Sequence, residues 1–310
     1  MTNNNLTSKN NIISKIKINN LISYGMKGTV YNAEYNNQNY AYKIEHILKT
    51  EIKKQKNEIN FSIKLGNKYP EHFIYLYDYK LINNCDHKQQ YSFNVNNFPD
   101  KKYYLKLAKS NLCIAKLYSL IDGTLDSIFN ILNENQLYSL YIQITYILYL
   151  LNKYRYSHND IHTKNIGYIK TNKEYIKIFG NKIPTFGYIY KLIDYGEINK
   201  IDKKNPELFS LLYMMYDLNI SNYNINWKKS DKIIFNTNEF KIINKNFKYK
   251  NLSLFLFSIL HNKLYYDIRI KKDISTIYFI NSNIIINIIL LMNNLDYKNI
   301  ILYLLSLINI

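Results

Sequence analysis

Apolar and polar residues alternate along Tyr40-Ala41-Tyr42-Lys43-Ile44, the period of a half-buried strand. Upstream, Ile22 to Tyr31 reads as a strand, a turn containing Gly25 and Gly28, and a returning strand. Over Lys49–Leu65 the spacing becomes helical, with Ile59 and Ile63 flanking Glu58 on a face that can pack inward. Further strands are predicted near Phe73–Leu81 and Asn111–Tyr118, and the polar segment Asn83–Lys102 reads as a surface connection. Gln136–Tyr154 is apolar nearly all round, which predicts a buried helix. Ile166–Lys170 and Tyr175–Phe179, around Thr171-Asn172-Lys173, predict a hairpin, and Leu208–Leu218 a helix. Two apolar runs close the chain. Ile274–Met292 is broken by Asn281, Ser282, Asn283 and Asn287, and Ile300–Ile310 is too short to span a bilayer, so both predict buried helices and no transmembrane segment. Strands dominate the first third and helices the rest, an α+β pattern.

Chemistry concentrates in His158-Asn159-Asp160-Ile161-His162-Thr163-Lys164-Asn165 and Leu192-Ile193-Asp194-Tyr195-Gly196. An Asp followed five residues later by Asn, then a hydrophobic run ending in Asp-aromatic-Gly, supplies what phosphoryl transfer needs. A carboxylate orients a hydroxyl nucleophile and takes its proton, and hard oxygen ligands hold magnesium. A single Asp-x-x-x-x-Asn is noise, so the weight rests on order. Ser23-Tyr24-Gly25-Met26-Lys27-Gly28 lies first, although two glycines in a hairpin are by themselves most often just a turn. Lys43 follows in an Ala-x-Lys pattern and alone would be one more solvated lysine. Glu58 comes next, with Glu51 a rival about two turns earlier.

Taken together, these five parts resemble the eukaryotic-type protein kinases over about Leu21 to Leu218. The resemblance implies an α+β, two-lobed protein-kinase-like fold after a disordered lead over residues 1–11, with a small β-rich lobe over about 12–119 and a larger, mainly helical lobe over about 120–310. It implies ATP and Mg2+ as cofactors. Ser23, Gly25 and Gly28 would cover the phosphates, and Val30 and Ala41 would pack near the adenine. Tyr118-Ser119-Leu120-Ile121-Asp122-Gly123 resembles the hinge, with Ser119 and Ile121 at the adenine edge. Asp122 would reach the ribose or cap a helix starting at Thr124. Lys43, held by Glu58, would position the α- and β-phosphates; Asn165 and Asp194 would bind magnesium; Asp160 would orient the substrate hydroxyl.

Departures narrow the resemblance. The extra length Thr171–Tyr190, with Lys182-Ile183-Pro184-Thr185-Phe186-Gly187-Tyr188-Ile189-Tyr190, resembles serine/threonine kinases of large cytoplasmic DNA viruses. His162 is similar to the histidine after the catalytic Asp in haspin-type and small-molecule kinases, and Lys164 would supply charge two residues later, or is a solvated loop lysine. Asn159 stands where regulated kinases carry Arg, so control by activation-loop phosphorylation is not expected. Tyr195 replaces Phe, and its hydroxyl needs a partner. Pro206-Glu207 is the sole echo of an Ala-Pro-Glu boundary, which shortens the substrate-docking segment.

Composition changes this picture little. The formal charge of +18 comes from dispersed lysines, and arginine occurs only at Arg155 and Arg269. Phosphate readers use Arg heavily, so a specific nucleic-acid function is not expected, although ATP and acidic substrates would be attracted. Cys85 and Cys113 are too few for a disulfide framework or a zinc site, and a reducing, cytoplasmic setting (host cytoplasm or virion) is expected. Met1–Asn11 lacks the apolar core of a signal peptide. Three functions remain open: a serine/threonine kinase acting on a protein substrate, a small-molecule kinase, and a non-catalytic binding module.

Overall fold

The alternation at Lys43 and its neighbours belongs to a five-stranded antiparallel sheet. Its strands are β1 (Lys17–Tyr24), β2 (Thr29–Tyr35), β3 (Gln38–His46), β4 (Leu76–Asn83) and β5 (Leu112–Ser119), in the order β1-β2-β3-β5-β4. The computed structural model describes Ser8 and residues 10–25, 28–87, 100–201 and 296–308. Most of the polar lead, Met26 and Lys27, Pro206-Glu207, the helix expected over Leu208–Leu218 and the run Ile274–Met292 lie outside the described residues. Asn36 and Asn37 both take positive φ, at 50° and 59°, closing the β2–β3 hairpin in two residues with the twist its strands require.

The pleat sorts this sheet into two unlike faces. Tyr40, Tyr42 and Ile44 join Ala33, Cys113, Ala115 and Leu117 in a small apolar cluster on one side. Ala41, Lys43 and Glu45 point to the other, where α1 (Ile52–Phe61) lies across the sheet with Gln55, Glu58, Ile59 and Phe61 buried. The pair of cysteines is a correction to the expectation of reduced thiols. Cys85 and Cys113 form a disulfide, their Cα atoms 5.8 Å apart. The Cys85 amide donates to the Asn111 carbonyl at 2.8 Å, which holds the two segments side by side. Near the end of the polar connection a helix that periodicity did not announce, α2 (Lys101–Ala108), buries Tyr104 and Leu107.

Helices α3 (Leu125–Ile128) and α4 (Glu134–Lys153) follow, and α5 (Tyr297–Ser306) packs on α4. A reciprocal capping box starts α4: the Asn133 side chain accepts from the Gln136 amide and the Gln136 side chain from the Asn133 amide, both at 2.9 Å. Fourteen of its twenty residues are buried, as its all-round apolarity predicted. The main core runs without a break from Ile114 and Tyr118, through Phe61 and Phe73, to Leu140, Ile144 and Leu148 of α4 and Ile300 of α5. The architecture is mixed α+β. No helix among the described residues is long and apolar enough to cross a membrane.

The expected hairpin between Ile166–Lys170 and Tyr175–Phe179 does not form. Strand β8 (Ile166–Lys170) pairs instead with β11 (Tyr188–Leu192), and also with β6 (Gly123–Thr124). Between them β9 (Tyr175–Ile178) and β10 (Asn181–Pro184) make their own antiparallel hairpin. Phe179 and Gly180, at φ 49° and 83°, supply the two left-handed residues of its turn, which settles which strand β9 meets. A last short pair joins β7 (Tyr156–Ser157) to β12 (Asn199–Lys200).

Candidate active site

The α1-facing side of the sheet carries charge where a core is otherwise apolar. The Lys43 ammonium lies 3.0 Å from Asp194 Oδ1 and 3.4 Å from Glu45 Oε2. On β5, directly opposite Lys43 in register, Lys116 is fully buried. Its ammonium lies 2.6 Å from Glu58 Oε1 and donates to Glu45 Oε1 at 2.9 Å and Gln55 Oε1 at 3.0 Å. Gln55 in turn donates to Glu45 Oε1 at 2.8 Å, and the Tyr118 hydroxyl to Glu58 Oε1 at 3.2 Å.

Glu58 therefore meets Lys116, not Lys43 as the sequence led us to expect. The physical reason is burial: a lysine with no access to water must be neutralised where it stands, whereas Lys43 has Asp194 and Glu45. The rival, Glu51, is occupied elsewhere, accepting from the Leu48 amide and the Tyr103 hydroxyl. Electrostatics follow the contacts. Burial pulls the Lys43 pKa down, but Asp194, Glu45 and Glu58 together raise it well above the ordinary lysine value. Burial pushes Glu45 up, and the nearby Lys116 and Lys43 ammoniums more than reverse this, to about 2. Lys43 holds Asp194 well below the usual carboxylate range.

The loop from β7 to β8 carries the second half of the site. Asp160 is exposed, while Asn165 is buried and donates through its amide nitrogen to the Asp160 carbonyl at 2.7 Å and to Asp160 Oδ2 at 3.0 Å. This leaves the Asn165 amide oxygen as the atom a cation would take. His162 Nε2 sits 3.1 Å from the Asn165 amide nitrogen and 3.5 Å from Asp160 Oδ1. Lys164 is exposed on a single 3-10 turn, Thr163–Asn165. Asn159, at φ 63°, donates to the Ser157 and Glu197 carbonyls, tying the loop to the segment after Gly196. That bond gives Asn159 a local role where an Arg would reach further.

The Ile193 amide donates to the Asn165 carbonyl at 2.9 Å, so the loop and the turn at Asp194 are joined directly. Asp194 takes φ 56°, a region that Asp and Asn tolerate best after Gly, and its Oδ1 accepts from the Gly196 amide at 3.2 Å. Tyr195 is buried edge-on against Phe61, centroids 4.6 Å apart. Its hydroxyl finds the partners it required, donating to the Leu192 carbonyl at 2.8 Å and accepting from the Ile74 amide at 2.9 Å.

Around the turn of β1 and β2, Ser23 pairs with Val30, and the Gly25 amide donates to the Gly28 carbonyl at 2.9 Å. A Cβ on Gly28 would lie 3.1 Å from Glu45 Cβ and 3.2 Å from Glu45 Oε2, tighter than ordinary packing, so glycine suits this close approach to the charged face. Ala41 is buried, and Val30 packs on the main core. Ser119 closes β5 with its amide on the Tyr75 carbonyl at 2.9 Å. Ile121 covers Gly167 so closely that a Cβ there would sit 2.8 Å from Ile121 Cδ1. Asp122 neither caps a helix nor stays free, because its carboxylate accepts from the Lys170 amide at 2.7 Å. Lys116 is the residue that motif reading missed. Its signal was a lone charge inside the apolar run Leu112–Tyr118, which demands a buried partner.

No family model and no curated protein matches the sequence. Among solved structures, the chain is similar to the crystal structure of the kinase domain of PF14_0431, at 17% identity and a TM-score of 0.39. The match covers 61% of this chain and 53% of that one, about half its length.

Proposed function

We propose that this protein is an ATP-dependent kinase with a two-lobed protein-kinase-like fold, transferring the γ-phosphate of Mg-ATP to a serine or threonine hydroxyl of a protein. The observation that carries the reading is the 3.0 Å contact of Lys43 with Asp194, two residues far apart in sequence, beside an Asn165 that is bonded to Asp160. That gathers a cation, hard oxygen ligands and a half-exposed carboxylate in one place. The acceptor class rests on the motif resemblance. The first alternative is a kinase-fold binding module that does not transfer phosphate; a small-molecule kinase follows, on the resemblance of His162 to the histidine of such kinases.

The donor set fits magnesium and a nucleotide. Asp194 and Asn165 offer oxygens to a hard cation, and Gly28 leaves room for backbone near the charged face. When bound, Mg-ATP supplies the transferable phosphoryl group and a charge that Asp194 can hold in place of Lys43. Lys43 would then donate to phosphate oxygens. Asp160, held by the Asn165 amide, accepts the hydroxyl proton at its carboxylate. Lys164, exposed on the same loop, would add positive charge there.

Incubation with γ-labelled ATP, magnesium and generic acidic and basic protein substrates tests this reading. Label on protein is expected, with Asp160→Asn reducing transfer at least a hundredfold while ATP binding persists. Full activity in Asp160→Asn would overturn the assignment. No label on protein with Mg-ATP binding retained would favour a small-molecule acceptor, and neither transfer nor binding would favour the non-catalytic module.

A further inference from the structure

Lys116 is buried completely between Ala115 and Leu117, in a strand whose inward residues are otherwise core. An ammonium so placed needs every N–H satisfied. It has three donors and three acceptors: Glu45 Oε1, Gln55 Oε1 and Glu58 Oε1. Each glutamate thus gives one oxygen to Lys116 and keeps the other. Glu45 Oε2 lies 3.4 Å from Lys43. Glu58 Oε2 is buried and has no hydrogen-bond partner among the described residues. Leaving a carboxylate oxygen dry and unpaired is costly, so a donor for it is expected in some state of the protein. Lys43 is the candidate, since it faces Lys116 across the β3–β5 ladder and feels the Glu58 charge.

We propose that Lys116 is a positioning residue for Lys43: by gripping Oε1 of both glutamates it presents their Oε2 atoms as a two-point seat for the Lys43 ammonium once Asp194 turns to a divalent cation. The inference rests on the phosphotransfer reading and deepens it. In this scheme the α1 glutamate is shared by two lysines, with Lys116 fixing its orientation and Lys43 meeting phosphate.

Steady-state kinetics and Mg-ATP titration of Lys116→Met, Lys116→Arg and the charge-balanced Lys116→Met/Glu45→Gln test it, with folding checked by circular dichroism. In the neutral variants that fold, KM for ATP is expected to rise at least tenfold while kcat at saturating ATP falls less than threefold. Lys116→Arg keeps the charge but, being bulkier and differently shaped, displaces the donor, and where it folds it is expected to raise KM severalfold. A purely structural lysine would lower thermal stability and leave KM alone. Folded variants, or Lys116→Arg by itself, with KM within twofold of wild type would overturn the proposal. Wild-type protein that neither binds Mg-ATP nor transfers phosphate would instead sink the underlying reading, before any variant is compared.

Discussion

The sheet face under α1 and the loop around Asp160 both hold charge, but they hold it in opposite ways. Under α1, Lys116, Glu45, Glu58 and Gln55 are sealed from water and satisfy one another almost completely. At the loop, the Asp160 side chain is 51% exposed and is steadied by Asn165. A buried ionic network contributes through specificity of geometry: it is costly to desolvate, and costlier still to leave half-made. An exposed acid adds little to stability and is free to meet a substrate. Lys43 lies at the border between the two, with 15% of its side chain exposed. One of its partners, Glu45, belongs to the sealed network, and the other, Asp194, to the open side.

Perturbing each side should separate stability from activity. The largest loss is expected from Lys116→Met, which strands two buried carboxylates and should cost about 3–5 kcal/mol in urea unfolding. Acid comes next. The Glu45 pKa is depressed from 4.5 to about 2, so its contribution is complete above about pH 4.5 and is lost as pH falls through about 2. That contribution is on the order of 3 kcal/mol, and the slope of stability between pH 4.5 and 2 should flatten in Glu45→Gln. Smaller again is Tyr195→Phe, which removes the hydroxyl between Leu192 and Ile74 and should cost about 1 kcal/mol. Asp160→Asn should change stability by no more than about 0.5 kcal/mol despite the large loss of transfer expected of it, since it alters an exposed group. A drop for Asp160→Asn equal to that for Lys116→Met would erase the distinction.

The parts of the fold that the sequence announced are those where one period dominates. The alternation at Tyr40–Ile44 became β3, the helical spacing around Glu58 became α1, and the all-round apolarity of Gln136–Tyr154 became α4. Where two pairings competed, pattern failed. Ile166–Lys170 suits either Tyr175–Phe179 or Tyr188–Leu192, and the left-handed turn at Phe179-Gly180 decided it. Lys43, Asp160, Asn165 and Asp194 stood out as candidates because the phosphoryl transfer proposed above demands particular groups in a particular order, and the fold brings Lys43 to Asp194 and Asn165 to Asp160. Lys116 showed only as a lone charge in an apolar run, because its partners depend on which strand faces β3, and that adjacency is not written in local sequence. The Cys85–Cys113 pairing was hidden for the same reason, since the two residues are 28 positions apart and the pairing of β4 with β5 brings them together.

The central claim is that Lys43 and Asp194 form the seat of a magnesium-bound nucleotide, and calorimetric titration of Mg-ATP into wild type, Asp160→Asn and Asp194→Ala tests it most directly. Binding that is equal in wild type and Asp160→Asn, and at least tenfold weaker and insensitive to magnesium in Asp194→Ala, is the predicted result. No binding by the wild type, or magnesium-dependent binding by Asp194→Ala as tight as wild type, would contradict the account.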